Sequence, residues 1–136
     1  MVAITRLMST SPVTVEPDDT LATVKEIFDR LKFHHLPVVE DYRLVGLVSD
    51  RDLLKALSPH LGSAAETARD LATLNKRVHQ VMGRNPVTLP ATATVWDAVR
   101  VFNRDGVACI PIVDDRHQPL GILTWRDVMG ALDREG

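Results

Sequence analysis

One cysteine, Cys109, is present among 136 residues. No intramolecular disulfide can form, and no multi-cysteine zinc site is available within one chain, so the cytoplasm is the expected compartment. An excess of basic charge is also absent: 16 Lys and Arg stand against 18 Asp and Glu, a formal net charge of −2, with a pI near 6.2. That balance argues against nucleic acid as a partner, because such binding needs a basic surface to displace counterions. No apolar run approaches the roughly 18 residues that suggest a membrane span. The opening Met1-Val-Ala-Ile-Thr-Arg6 has no secretory apolar core, so no membrane partner is expected either. What remains is an ordinary globular composition, 45% hydrophobic, sufficient for one compact domain or two half-domains sharing a core.

What the chain does have is a repeat. Met8-Ser-Thr-Ser-Pro12-Val-Thr14, Leu36-Pro37-Val38-Val39 and Gly46-Leu-Val-Ser49-Asp-Arg51-Asp52 return in order as Met82-Gly-Arg-Asn-Pro86-Val-Thr88, Ile110-Pro111-Ile112-Val113 and Gly121-Ile-Leu-Thr124-Trp-Arg126-Asp127. The offset is 74 up to Pro37 and Pro111 and 75 from Gly46 and Gly121, which places a one-residue insertion in a turn between two strands. A unit too small to bury its own apolar face is expected to stack on its copy, giving two equivalent clefts.

Each copy reads as strand, helix, strand, strand, helix. Val13 to Val15 is a short β-branched run, and Pro17-Asp-Asp-Thr20 supplies helix-start chemistry. Leu21, Val24, Ile27, Phe28 and Leu31 follow at helical spacing, matched by Val95, Ala98, Val99 and Phe102. Leu36 to Val39 and Leu44 to Val48 predict two buried strands about a polar turn, as do Ile110 to Val113 and Leu120 to Leu123; Asp50 to Leu57 and Trp125 to Leu132 read as helices. The division is residues 1–60, a helical connector over 61–80, and 81–136. In the connector, Ser63-Ala-Ala-Glu66 has capping-box spacing, and Leu71, Leu74, Val78 and Val81 predict one amphipathic helix.

Gly46-x-x-Ser49-x-x-Asp52 and Gly121-x-x-Thr124-x-x-Asp127 fall where a strand passes into a helix. Two roles fit. At a helix start that attracts anions, Ser49 or Thr124 can donate to a phosphate while Asp52 or Asp127 accepts from a ribose diol. The competing role is the capping box, of which the same pairs are near-variants and which would consume both side chains in satisfying backbone donors. Arg51 and Arg126 are either phosphate ligands or solvated first-turn residues, and Trp125 either stacks on a base or is simply partly exposed. Cys109, in an apolar strand, reads as a small buried hydrophobe. His34-His35 lacks the spacing of a helical ligand pair, and His60, His79 and His117 fall in connector or turn segments, so no metal is expected.

Taken together, from about Thr5 to Leu132, these motifs resemble a tandem cystathionine-β-synthase-type (CBS) domain pair, the Bateman module. The resemblance implies an α/β (α+β) fold of two β-α-β-β-α repeats packed pseudo-two-fold through their sheets. It also implies a cleft for an adenine nucleotide (AMP, ADP or ATP) or another adenosyl ligand such as S-adenosylmethionine, frequent homodimerisation, and no catalysis, catalytic residue or cofactor beyond the regulatory ligand. Carried over residue by residue, one pocket combines Ser49, Arg51 and Asp52 with Val87, Val107, Ala108 and Cys109, and the other combines Thr124, Arg126 and Asp127 with Val13, Phe33, His34 and His35. His34 and His35 stand where relatives often carry basic phosphate contacts, and Asp50 adds a negative charge beside Asp52, which makes the Asp127 pocket the better expected anion site. The expected function is a stand-alone regulatory module that reports ligand occupancy to a separate effector protein, or through its own assembly; the alternative is a dimerisation scaffold with non-functional clefts.

Overall fold

The computed structural model describes residues 3–10 and 13–135, so Ser11 and Pro12 of the first motif lie outside the described residues. After a 3₁₀ turn at Ile4–Arg6 come β1 (Ser9–Thr10), α1 (Leu21–Arg30), β2 (His35–Glu40), β3 (Arg43–Ser49) and α2 (Asp50–Ala56). The connector holds α3 (Ala68–Ala72) and 3₁₀ turns at Thr73–Asn75 and Val78–Gln80. β4 (Gly83–Arg84), β5 (Leu89–Pro90), α4 (Val95–Asp105), β6 (Cys109–Val113), β7 (Pro119–Thr124) and α5 (Trp125–Glu135) complete the mixed α/β chain.

The opening segments are exchanged between the copies. β1 pairs antiparallel with β7 through Ser9↔Ile122 and Thr10↔Gly121, and β4 pairs with β3 through Gly46↔Arg84 and Leu47↔Gly83. Accordingly the chain divides into two compact units that cut across the repeat. One holds Met1–Val13, Asp41–Leu44 and Asn85–Gly136; the other holds Thr14–Glu40 and Val45–Arg84. The first contains the sheet β1-β7-β6-β5, whereas the β2-β3-β4 sheet belongs mainly to the second.

The cores record the same exchange. Ile4 is fully buried among Val95, Ala98, Phe102, Ile110, Ile112, Leu123 and Val128. Val78, its equivalent in the repeat, is fully buried among Val15, Leu21, Val24, Leu36, Val38, Val48 and Leu53. Isolated bridges Ala3↔Thr94 and Thr20↔Arg77 tie the same segments to the helix starts at Thr94 and Thr20. Of the predicted helix face, Leu21 and Val24 are buried and Ile27 and Phe28 half-buried, while Leu31 lies past the helix end and is exposed.

Two expectations change. Of Val13 to Val15 only Val15 joins a sheet, as a parallel bridge to Val38, with Val15 N–H donating to the Pro37 carbonyl (3.1 Å) and Val39 N–H to the Val15 carbonyl (2.8 Å). The next rung would need an N–H from Pro37, which has none, so the ladder stops before Val13. Pro111 sets the same limit in the second copy, where the strand is Leu89–Pro90 and Val87 stands outside it.

The connector is not one amphipathic helix, and Ser63 does not start it. Ser63 Oγ donates to the His60 carbonyl (2.7 Å); the capping box is at Thr67 and Asp70. Thr73 Oγ1 then donates to the Asp70 carbonyl (2.7 Å), a side-chain bond that competes with the helical ladder. Lys76 turns extended so that its carbonyl receives Leu21 N–H (2.9 Å). The exchanged bridge at Arg77 therefore rules out a continuous helix to Val81.

The exchanged strands approach too closely for any side chain at Gly46 or Gly121. A Cβ on Gly46 would lie 2.6 Å from Met82 Sδ and 2.8 Å from the Gly83 carbonyl oxygen; one on Gly121 would lie 2.8 Å from Met8 Sδ and 2.5 Å from the Ser9 carbonyl oxygen. The backbone oxygen cannot be moved aside as a flexible side chain can. Gly46→Ala and Gly121→Ala are each expected to lower stability by about 1–3 kcal/mol, read from urea unfolding midpoints. Wild-type midpoints would show that the strands tolerate a methyl group.

Candidate functional site

β3 and β7 run without a loop into α2 and α5, so Ser49 and Thr124 are the last strand residues and also the residues before the first helical turn. Ser49, still extended, has unsatisfied helix N–H groups ahead of it. Asp52 N–H donates to Ser49 Oγ (3.0 Å), and Ser49 N–H donates to Asp52 Oδ2 (2.9 Å). At the other head Asp127 N–H donates to Thr124 Oγ1 (3.3 Å), Thr124 N–H to Asp127 Oδ2 (2.9 Å), and Thr124 Oγ1 to the same Oδ2 (3.1 Å). The capping role is therefore realised at both heads. It is also this chain's general way of starting a helix, since Thr67/Asp70 and Thr94/Asp97 form the same box.

The four boxes differ in the second carboxylate oxygen. Asp70 Oδ1 accepts from Ser58 Oγ (2.7 Å), and Asp97 Oδ1 from Arg100 (3.2 Å). Hydrogen bonding holds both carboxyls below their ordinary range, with Ser58 the leading cause at Asp70 and the Thr94 backbone at Asp97. At Asp52 and Asp127 only Oδ2 is engaged by a donor among the described residues. The pair in the repeated motif thus keeps one acceptor oxygen each, on half-buried side chains.

Hydroxyl and cation placement distinguishes the heads. Thr124 turns its proton to Asp127, whereas Ser49 Oγ donates to no group among the described residues. Arg51 and Arg126 are exposed, and among the described residues neither has a carboxylate within salt-bridge distance. His34 meets Asp50: Nδ1 lies 2.7 Å from Asp50 Oδ2, and Asp50 N–H donates to the His34 carbonyl (3.0 Å). Nothing in a 16-residue separation signals this pair. Half-buried His35 is held below the usual imidazole value of 6.5, chiefly by burial, with Asp50 pulling upward, His34 downward and Asp52 upward.

Phe33, His34 and His35 lie in the same unit as Ser49, Arg51 and Asp52, while Val13, Val87, Val107, Ala108 and Cys109 lie in the unit of Thr124, Arg126 and Asp127. Val87 and Val107 pack partly against that unit's core. Cys109 sits opposite Thr124 in the β6–β7 register. Its thiol is buried and pushed up to about 12, by burial first and by Asp127 second. It behaves as a neutral hydrophobe and offers a ligand little beyond its backbone. Trp125 is 38% exposed and already stacks on Phe102, with ring centroids 4.7 Å apart.

The CBS domain family matches the chain twice, over residues 4–59 and 78–134. A CBS domain-containing protein of Dictyostelium discoideum is 32% identical over 133 residues, 96% of this chain and 91% of that protein. Other relatives are longer: the chain spans 34% and 45% of two Methanocaldococcus jannaschii proteins. Among solved structures, CBSX2, a CBS-pair protein of Arabidopsis thaliana, in complex with AMP, is 26% identical with a TM-score of 0.78, covering 100% of both chains. The CBS domain pair of MJ0100, in complex with 5′-methylthioadenosine and S-adenosylmethionine, has a TM-score of 0.81 at 22% identity, a likeness of fold alone.

His35 generates a pH prediction. Its folded value lies below the unfolded 6.5, so the unfolded chain takes up the proton first. The stability contributed by neutral His35 is complete above 6.5 and is lost as pH falls through 6.5 toward the folded value. Replacing it by a ring that does not titrate, His35→Phe, is expected to flatten the fall in melting temperature between pH 7.5 and 5.5. A slope identical to that of the wild type would contradict the assignment.

Proposed function

This chain belongs to the CBS-domain family, and on that premise we propose that it is a regulatory module binding an adenine nucleotide or related adenosyl ligand at the heads of α2 and α5. One observation carries the reading. Of four aspartates that cap helices, the two in the repeated Gly-x-x-Ser/Thr-x-x-Asp motif keep Oδ1 unengaged among the described residues. Capping and ligand binding are then complementary: Oδ2 anchors the carboxylate to the helix start, and Oδ1, held still by that anchor, accepts from a ribose hydroxyl. Arg51 and Arg126, exposed and unpaired among the described residues, supply charge for phosphate, and Ser49 O–H supplies a donor. The full-length likeness to CBSX2, whose structure contains AMP, supports the ligand class.

Two or three charge-assisted hydrogen bonds at about 1.5–3 kcal/mol each, with burial of a base, are consistent with micromolar affinity, about −8 kcal/mol. Signalling then requires that the ligand bind two states of the protein or its assembly unequally.

Asp127→Asn keeps an acceptor for the cap and removes the charge. Calorimetry is expected to show AMP affinity falling about 10-fold or more, with melting close to wild type. Unchanged affinity would confine Asp127 to capping.

A second reading, assembly into homodimers, is favoured by α5. Trp125, Met129 and Leu132, at helical spacing, are 38%, 58% and 46% exposed, with exposed Arg126 and Asp133 toward opposite ends. Antiparallel pairing of this face with a second copy would cover the stripe and set each Arg126 against the partner copy's acidic end. Leu132→Glu is expected to convert a dimer to a monomer in sedimentation. A wild-type monomer at about 100 μM, far above the range of stable dimers, would exclude it.

A further inference from the structure

Met8 and Met82 open the repeated motif, and the ligand site proposed above does not include them. Both are half-buried, and each thioether lies against a glycine of the other copy's hairpin. The nearest atoms to a Cβ built on Gly121 are the Ser9 carbonyl oxygen and Met8 Sδ; on Gly46 they are Met82 Sδ and the Gly83 carbonyl oxygen. The sulfurs therefore adjoin glycine C–H and backbone acceptors, a setting suited to a soft, weakly polar atom. The strands held there, Ser9–Thr10 and Gly83–Arg84, are only two residues long, with few ladder bonds of their own.

We propose that Met8 and Met82 make the strand exchange responsive to oxidation by peroxide. Hydrogen peroxide transfers one oxygen to the thioether: the O–O bond breaks, an S–O bond forms, the sulfur is oxidised to the sulfoxide, and the peroxide is reduced to water. The new oxygen is a strong acceptor set beside another acceptor, and it loosens β1 and β4 together with the buried Ile4 and Val78 that precede them. Half-burial leaves the sulfurs within reach of a small oxidant. Cys109 competes poorly, because a buried thiol at about 12 supplies little thiolate.

The test treats the full chain with graded hydrogen peroxide, locates each sulfoxide by peptide mass spectrometry, and follows melting and amide exchange. Sulfoxide at Met8 and Met82 is expected to lower the melting temperature by about 3–8 °C and to raise exchange at residues 9–10 and 83–84, with methionine sulfoxide reductase restoring both. Met8→Leu/Met82→Leu should hold its melting temperature through the same treatment even though exposed Met129 is still oxidised; if the double variant does not fold, each single variant should lose part of the response. Sulfoxide at both positions with unchanged melting, or sulfurs that stay unoxidised at doses converting a free methionine peptide, would overturn the proposal.

Discussion

A missing side chain at two positions controls this architecture. Gly46 and Gly121 let the backbone of an exchanged strand come within a distance that a methyl group would violate, and β1 and β4 can then complete hairpins that belong to the opposite copy. Because Ile4 and Val78 travel with those strands into the opposite cores, each copy's apolar core is completed by a residue of the other. The repeat is a unit of sequence; the compact unit is assembled from both copies.

The same hairpins deliver the residues proposed to hold the ligand. Three positions beyond each glycine the strand ends on a hydroxyl residue that starts a helix, so the constraint fixing β3 and β7 also fixes Ser49, Asp52, Thr124 and Asp127. A carboxylate tied by one oxygen to its own helix start loses little conformational freedom when the other meets a ligand, which is the benefit of preorganisation. Where a neighbour reaches the second oxygen, as Ser58 does at Asp70 and Arg100 at Asp97, the same box is structural alone.

Much of this was legible in the residues. Brief apolar runs about a polar turn marked β2, β3, β6 and β7, helical spacing marked α1 and α4, and Ser49-x-x-Asp52 and Thr124-x-x-Asp127 announced the helix starts with two competing meanings. The exchange was not legible, because two-residue strands carry no periodicity and their pairing depends on partners far along the chain. The limit on Val13 was latent in Pro37, whose missing N–H matters only once the parallel partner is known. The connector misled because Leu71, Leu74, Val78 and Val81 have helical spacing although Val78 is buried by the exchange and not by a helix face. The His34–Asp50 contact had no local pattern to reveal it.

In the proposed mode of binding, one carboxylate both caps a helix and holds a sugar. A crystal structure of the protein with AMP tests it most directly. In that structure Asp127 Oδ2 is expected still to accept from Thr124 N–H, as it does here at 2.9 Å, with Oδ1 within hydrogen-bond distance of a ribose hydroxyl. AMP bound with both Asp52 and Asp127 out of reach of the ribose, or a carboxylate released from its helix start to reach it, would rule out this dual role.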